Sequence, residues 1–318
     1  TTGARNIAIG WEAMHDTNAG STAQGSSDNV FIGYSAGGGT WADAASTHNV
    51  TVGNYTMNNA LNGAVYNVAM GYGALSSTTS ADSNVAIGYL AGNSITTGGS
   101  NVIIGDQAGD AIGTGYNNTI MGKSAGTNLS TGLNNVIIGR VAGYATTDVD
   151  KTVIIGEQAA YSGNMTSAAD GTISIGSNAG KNVTSAAGST FVGYGAGALV
   201  TTGNYNTAFG YSAGNSLTTA TETVLVGYFA GYNATGSSGN GVAVGSNAGR
   251  EQKLGGSVYI GRYSGYKPSG NYAGGNNVGI GYHAMYTIKN GAAGNIAIGR
   301  NAGQNLDGHD VDNLVQIF

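Results

Sequence analysis

From Asn84 to Gly139 the chain repeats one phrase every seventeen residues: NVAIGYLAGNSITTGGS, NVIIGDQAGDAIGTGYN, NTIMGKSAGTNLSTGLN, then NVIIG. The N-V-x-I-G motif closes on Gly88, Gly105, Gly122 and Gly139, and a second glycine comes four residues later at 92, 109, 126 and 143. A period this strict is the mark of a repeat architecture, in which each unit buries its apolar face only by stacking on the next. Over the whole chain the closing glycine occurs seventeen times, from Gly10 to Gly299, and includes Gly193, Gly210 and Gly227. Spacings above seventeen arise from insertions such as Asp16 to Asp28 and Asn164 to Gly171, placed where a loop leaves the stack.

Each phrase carries β-branched or long aliphatic residues three and one positions before its glycine, as in Val85 and Ile87 or Val136 and Ile138. Alternation of this kind predicts a short strand with those two side chains facing inward. The glycine then turns the chain, through a positive φ or because a neighbouring backbone approaches too closely for a Cβ. Alanine stands three residues past the glycine in fifteen of seventeen copies, so the interior is thin there. Seven residues past it an apolar residue often recurs, among them Ile95, Ile112 and Leu129, which predicts a second short strand. Asparagine opens eleven phrases, including Asn84, Asn101, Asn118 and Asn135, and amides stacked in register are expected to hydrogen-bond from coil to coil.

These patterns predict an all-β fold, a parallel β-solenoid of about 17-residue coils over residues 1–318, with seventeen full coils and a partial C-terminal one. At ~4.8 Å per rung the expected stack is a rod of roughly 80 to 85 Å. The last residues, Asn313 to Phe318, read NLVQIF, with phenylalanine in place of the glycine, as a cap, a plug for an adjoining segment, or equally a coil cut short within a longer domain. Collagen is excluded, because 58 glycines occur with one proline and no three-residue period.

Charged residues are 8% of the chain and the net charge is −5, so neither nucleic acid nor an anionic membrane surface is an expected partner. No apolar run reaches the ~20 residues of a membrane-spanning helix. The absence of cysteine removes disulfides and thiolate metal sites. The four histidines, at 15, 48, 283 and 309, are scattered, and Glu157, Glu222 and Glu251 lack an evident partner, so no catalytic site and no cofactor are expected. The densest polar cluster, Asp307, His309, Asp310 and Asp312, is a weak candidate for a hard cation and reads more simply as a solvated acidic turn.

Tyrosine recurs just after the closing glycine, and Tyr194, Tyr211 and Tyr228 fall on three consecutive repeats. They predict an aromatic ladder on an outer face, with three roles in descending order: subunit interface, self-stacking, glycan binding. Paired threonines such as Thr96-Thr97 and Thr201-Thr202 suggest a hydroxyl-bearing face of the ice-binding kind on a few repeats only.

The N-V-x-I-G phrase resembles the corresponding phrase in the heads of YadA-type trimeric autotransporter adhesins. The longer unit N-V-x-I-G-x-x-A-G-x-x-x-T-T-G-x-x-N is similar to repeat regions of phage tail fibres, and the likeness runs from Asn6 to Gly303. This resemblance implies a left-handed β-roll, a homotrimer or filament, an extracellular or virion-surface location, and a structural fibre or adhesin role in which loops contact cell-surface glycan. A glycan- or ice-binding module is the alternative, and a tailspike-like glycan hydrolase comes third. Independently, a core of alanine and a few aliphatic side chains buries little area against the entropy of ordering so many glycines, which favours packing of several copies.

Overall fold

The computed structural model describes residues 3–17, 25–234, 239–252, 254–267, 274–288, 291–306, 313 and 315–317. The chain separates into two compact units, Thr1–Ile155 and Gly156–Phe318. Among the described residues the first contains nine three-residue strands: Ile7–Ile9, Val30–Ile32, Val50–Val52, Val68–Met70, Val85–Ile87, Val102–Ile104, Thr119–Met121, Val136–Ile138 and Val153–Ile155, β1 to β9. The second contains Ile173–Ile175, Thr190–Val192, Thr207–Phe209, Val224–Val226, Val242–Val244, Val258–Ile260 and Val278–Ile280, β10 to β16. Thr287–Ile288, Ile296–Ile298, Asn305–Leu306 and Val315–Ile317 complete it as β17 to β20.

Within each unit every phrase strand pairs in parallel with its counterpart one repeat on, so that Val85 faces Val102 and Val102 faces Thr119. Both units are therefore parallel β-solenoids with a turn of about 17 residues. Val315–Ile317 pairs with Ile296–Ile298 and extends the sheet of the second unit; Phe318 lies outside the described residues.

Two local expectations are corrected. The strand residue that faces inward is the middle one: Ala86, Ile103, Ile120, Ile137 and Ile154 are fully buried, whereas the positions that flank them are half-exposed or exposed. Outward positions are aliphatic because a β-branched side chain in a parallel stack lies against its own copy above and below, whichever face it occupies. Hydrophobic identity alone does not say which side of a three-residue strand is the core.

The second strand is also absent from most turns of the solenoid, and only β17 and β19 pair in that position among the described residues. A string of overlapping tight turns replaces it: Ala91 N donates to Gly88 O, Asn93 N to Leu90 O and Ile95 N to Gly92 O at 3.1 to 3.4 Å. Leu90 and Gly92 both take left-handed φ, at 52° and 57°. Alternate amides of this segment still bond to neighbouring coils, Leu90 N to Tyr72 O at 2.9 Å and Gly92 N to Ala108 O at 3.0 Å. Backbone pairing thus continues around the corner without extended geometry, and the apolar residues Ile95, Ile112 and Leu129 point inward from a turn.

The core follows a size rule. Where the inward strand residue is bulky, the residue four past the closing glycine is glycine: a Cβ on Gly37, Gly197 or Gly265 meets the ring of Phe31, Phe191 or Tyr259 at 2.7 Å or less. In three coils with a smaller inward residue the partner is large, so Met57, Leu75 and Met285, all fully buried, accompany Thr51, Ala69 and Gly279, whereas the coils of Ala86, Ser174, Ala208, Ala243 and Ala297 keep glycine there. In those three coils atoms missing at one position are supplied at the other, as close packing of the interior favours.

Candidate interaction surface

The closing glycines set the cross-section on which every surface depends. At Gly88, Gly105 and Gly122 φ is 141°, 141° and 129°, and a Cβ stands 2.7 Å or less from the carbonyl oxygen of the next closing glycine. Gly193, Gly210 and Gly227 show the same approach, and Gly139 has φ 133°. Positive φ and close approach therefore act together.

Along one inner edge the asparagines form a continuous amide column. Asn101 Nδ2 donates to Asn84 Oδ1 at 3.0 Å and to Gly115 O at 2.9 Å, and its own Oδ1 accepts from Asn118 N and Nδ2 at 2.9 and 3.0 Å. Asn84, Asn118 and Asn135 repeat this arrangement, and the column runs from Asn6 to Asn135, where Thr152 Oγ1 ends it with a 2.8 Å bond to Asn135 Oδ1. In the second unit Thr172, Ser189 and Thr223 take the position and the column is broken, with Asn295 on Asn277 at 3.0 Å near the end. These amides are buried and satisfied, which places them in the framework and not at a ligand.

The outward strand positions make the largest apolar feature. Of the 36 such positions in the eighteen phrase strands, 33 are Val, Ile, Met or Phe, three are threonine (119, 190 and 207), and none is charged. Ile7, Val50, Val52, Met70, Val102 and Met121 in the first unit, and Phe209, Val224 and Ile260 in the second, are each more than a third exposed. At ~4.8 Å between strands and ~10 Å of strand length, each nine-strand array presents about 430 Å2 of flat apolar sheet.

Beside this strip stands the tyrosine column. Tyr194 and Tyr211 stack with centroids 5.1 Å apart and planes at 13°, Tyr211 and Tyr228 at 5.5 Å and 26°. The rings remain 52%, 46% and 52% exposed, so self-stacking leaves half of each available. The first unit carries a similar column, Tyr34, Tyr55, Tyr72 and Tyr89, at 5.2 to 5.7 Å. The threonines behave otherwise: Thr96 Oγ1 donates to Gly113 O, Thr184 Oγ1 to Thr201 O and Thr201 Oγ1 to Thr218 O at 2.9 to 3.2 Å. Their protons are spent on the neighbouring coil, which weakens the case for a hydroxyl face that orders water.

A fourth feature lies on the turns of the second unit, at the positions two and five past the closing glycine. Phe229, Tyr232, Arg250, Tyr263, Tyr266, His283 and Tyr286 come together across four coils. His283 is stacked between Tyr282 and Tyr286 at 4.1 and 4.4 Å. Arg250 lies over Phe229 at 5.0 Å and Tyr232 at 5.4 Å, Arg262 over Tyr263 at 5.0 Å, and Arg300 over Tyr282 at 5.8 Å. Burial holds the His283 imidazole below its usual pKa, helped by the positive charges of Arg262 and Arg300. Burial likewise raises the Tyr286 phenol.

Among the described residues no group of three or more His, Cys, Asp or Glu is placed to hold a metal ion. Asp307, Asp310 and Asp312 lie outside the described residues, as does His309. Glu157, Glu222 and Glu251 sit on different coils; Glu251 accepts from Asn233 Nδ2 at 2.7 Å. No helix among the described residues is long and apolar enough to cross a membrane.

Sequence reasoning missed the outward strip, whose signal was present in the aliphatic pair but assigned to the core. It also missed the arginine-aromatic cluster, signalled by six of the eleven basic residues falling between 250 and 306. Compared with known proteins, the chain matches no protein-family model and no curated protein.

Proposed function

We propose that the chain is a non-catalytic structural segment of an extracellular or virion-surface fibre, assembled by side-by-side packing of identical copies through the outward strand strip. The observation that carries this reading is the strip itself: a flat, uncharged Val/Ile surface repeated on every coil of both units. A contiguous apolar patch of this size is often a functional surface. One strip supplies about half of the ~800 Å2 that each partner contributes to a standard interface, and a chain has two. Its partner is a second copy, because contact that matches a ~4.8 Å repeat coil for coil requires a surface of the same period. The resemblance of the repeat to trimeric adhesin heads and phage tail fibres supports a trimer over an open sheet.

The tyrosine column competes with the strip as the interface, and single-cysteine variants separate them in a chain that has no cysteine of its own. Under oxidation, Ile104→Cys is expected to give covalent dimers and Tyr211→Cys to stay monomeric. The reverse result moves the interface to the tyrosines. No cross-link at either position, with wild-type circular dichroism for both, removes the packing proposal.

A further inference from the structure

The arginine-aromatic cluster of the second unit departs from the rest of the repeat in composition and charge. Between Gln252 and Leu306 there is no aspartate or glutamate, while Lys253, Arg262, Lys267, Lys289 and Arg300 carry five of the eleven basic charges of a chain whose net charge is −5. Two of the cations in or beside the cluster are committed to the framework. Lys267 is buried with Nζ on Ile288 O at 2.7 Å, and Arg250 bonds Asn247 Oδ1 at 3.0 Å beside Glu251 at 3.8 Å. Arg262 and Arg300 are different: both are exposed, and each is held by a ring face, with no carboxylate against it among the described residues. Stacking restrains a guanidinium through its face and leaves its N–H groups free in the plane, the arrangement that receives a carboxylate or sulfate in two-pronged fashion.

Arg262, Tyr282 and Arg300 occupy the same position on three successive coils, one past Gly261, Gly281 and Gly299. The two arginines are thus two rungs apart, ~10 Å along the stack. That distance is of the order of one disaccharide repeat, with the Tyr282 ring, 41% exposed, midway between them. The imidazole of His283, held below its usual pKa first by burial, also feels the positive charges of Arg262 and Arg300.

We propose that this face of the second unit binds an acidic polysaccharide, with carboxylates on alternate sugars received by Arg262 and Arg300 and the intervening sugar lying against Tyr282. The site is distinct from the outward strand strip and lies at the repeat position of the tyrosine column, one past the closing glycine. Stacking on both sides of His283 makes the face rigid before ligand arrives, so little side-chain entropy is lost on binding.

The full chain is tested against hyaluronan, which carries one carboxylate per disaccharide, and against neutral dextran and single-stranded DNA. Hyaluronan binding is expected to weaken with salt, and Arg262→Gln or Arg300→Gln each to lower affinity about tenfold or more, since a charge-assisted pair is lost. Lys181→Gln, which removes the same charge on another coil of that unit, leaves binding unchanged. Melting curves of all three variants are compared so that loss of fold is not read as loss of binding. Equal binding of dextran, indifference to both arginine changes, or no hyaluronan binding at all overturns the proposal. Tighter binding of DNA with the same arginine dependence reassigns the face to nucleic acid and overturns it as well.

Discussion

Replacing Asn101 by alanine removes one link from the amide column while leaving every backbone atom in place. Asn101 is fully buried, so no solvent compensates at once. Four groups lose a bond, and three of them, Gly115 O, Asn118 N and one Asn118 Nδ2 proton, are left without that partner. Asn84 Oδ1 keeps the Asn101 backbone donor at 3.0 Å. Each buried group left unsatisfied costs ~1–3 kcal/mol, so three give about 3–9, and water entering the space vacated by the amide holds the expected loss to about 4–5 kcal/mol. Threonine is the informative comparison, because Thr152 already ends the column with both its amide and its hydroxyl on Asn135 Oδ1. Asn101→Thr is expected to cost about half as much as alanine. Urea denaturation of the full chain gives the stability loss, and native-state hydrogen exchange locates it. The Asn118 amide is expected to lose protection first, before its neighbours on both sides, because solenoid stability is carried by nearest-neighbour contacts. An alanine variant within ~0.5 kcal/mol of the parent, the usual range for a surface change, or an Asn118 amide with undiminished protection, refutes the idea that the column holds the coils together.

The same geometry sets three further outcomes. Gly105→Ala places a Cβ 2.6 Å from Gly122 O at a φ of 141° and is expected to cost at least about 3 kcal/mol in a urea melt, whereas the loop change Gly171→Ala, with nothing within 4 Å, costs less. Leu75→Gly empties core volume and is expected to cost about 3–5 kcal/mol; adding Ala69→Ile in the same coil recovers part of it if the size rule is correct, and a double mutant no better than the single one rejects that rule. His283 has a folded pKa below the unfolded value of 6.5. The unfolded chain therefore takes up that proton first, stability is unaffected above about pH 6.5 and declines as pH falls below it, and His283→Gln removes this part of the slope.

The solenoid was legible because seventeen copies of one phrase leave a stacked array as the arrangement that buries them all. Glycine at 88, 105 and 122 announced both a special backbone and a close neighbour. What the sequence hid is the direction of the side chains. Val85 and Ile87 flank Ala86, and a three-residue strand with apolar residues at all three positions carries no polar mark to tell inside from outside. The approach of Gly37 to the Phe31 ring, and of Gly197 to that of Phe191, reveals which positions share the interior. The turn segment after each glycine was misread for a related reason. Inward apolar residues at Ile95 and Ile112 imply burial, and burial alone does not distinguish a strand from a chain of tight turns. The arginine-aromatic cluster was missed although Arg250, Tyr266 and Tyr286 share the position five past the closing glycine, because the residue type changes from coil to coil and leaves no repeated letter to read.

Coverage of the outward strip by further copies of the chain is what would make this solenoid a fibre segment. Sedimentation equilibrium of the purified full chain at micromolar concentration tests it directly. The predicted result is a particle of three times 31.5 kDa, or a longer assembly, that falls to the 31.5 kDa monomer when Val102 and Ile104 are both replaced by glutamate with the circular dichroism unchanged. A wild-type chain that sediments as a 31.5 kDa monomer at every concentration, with its Val/Ile strip open to water, contradicts it.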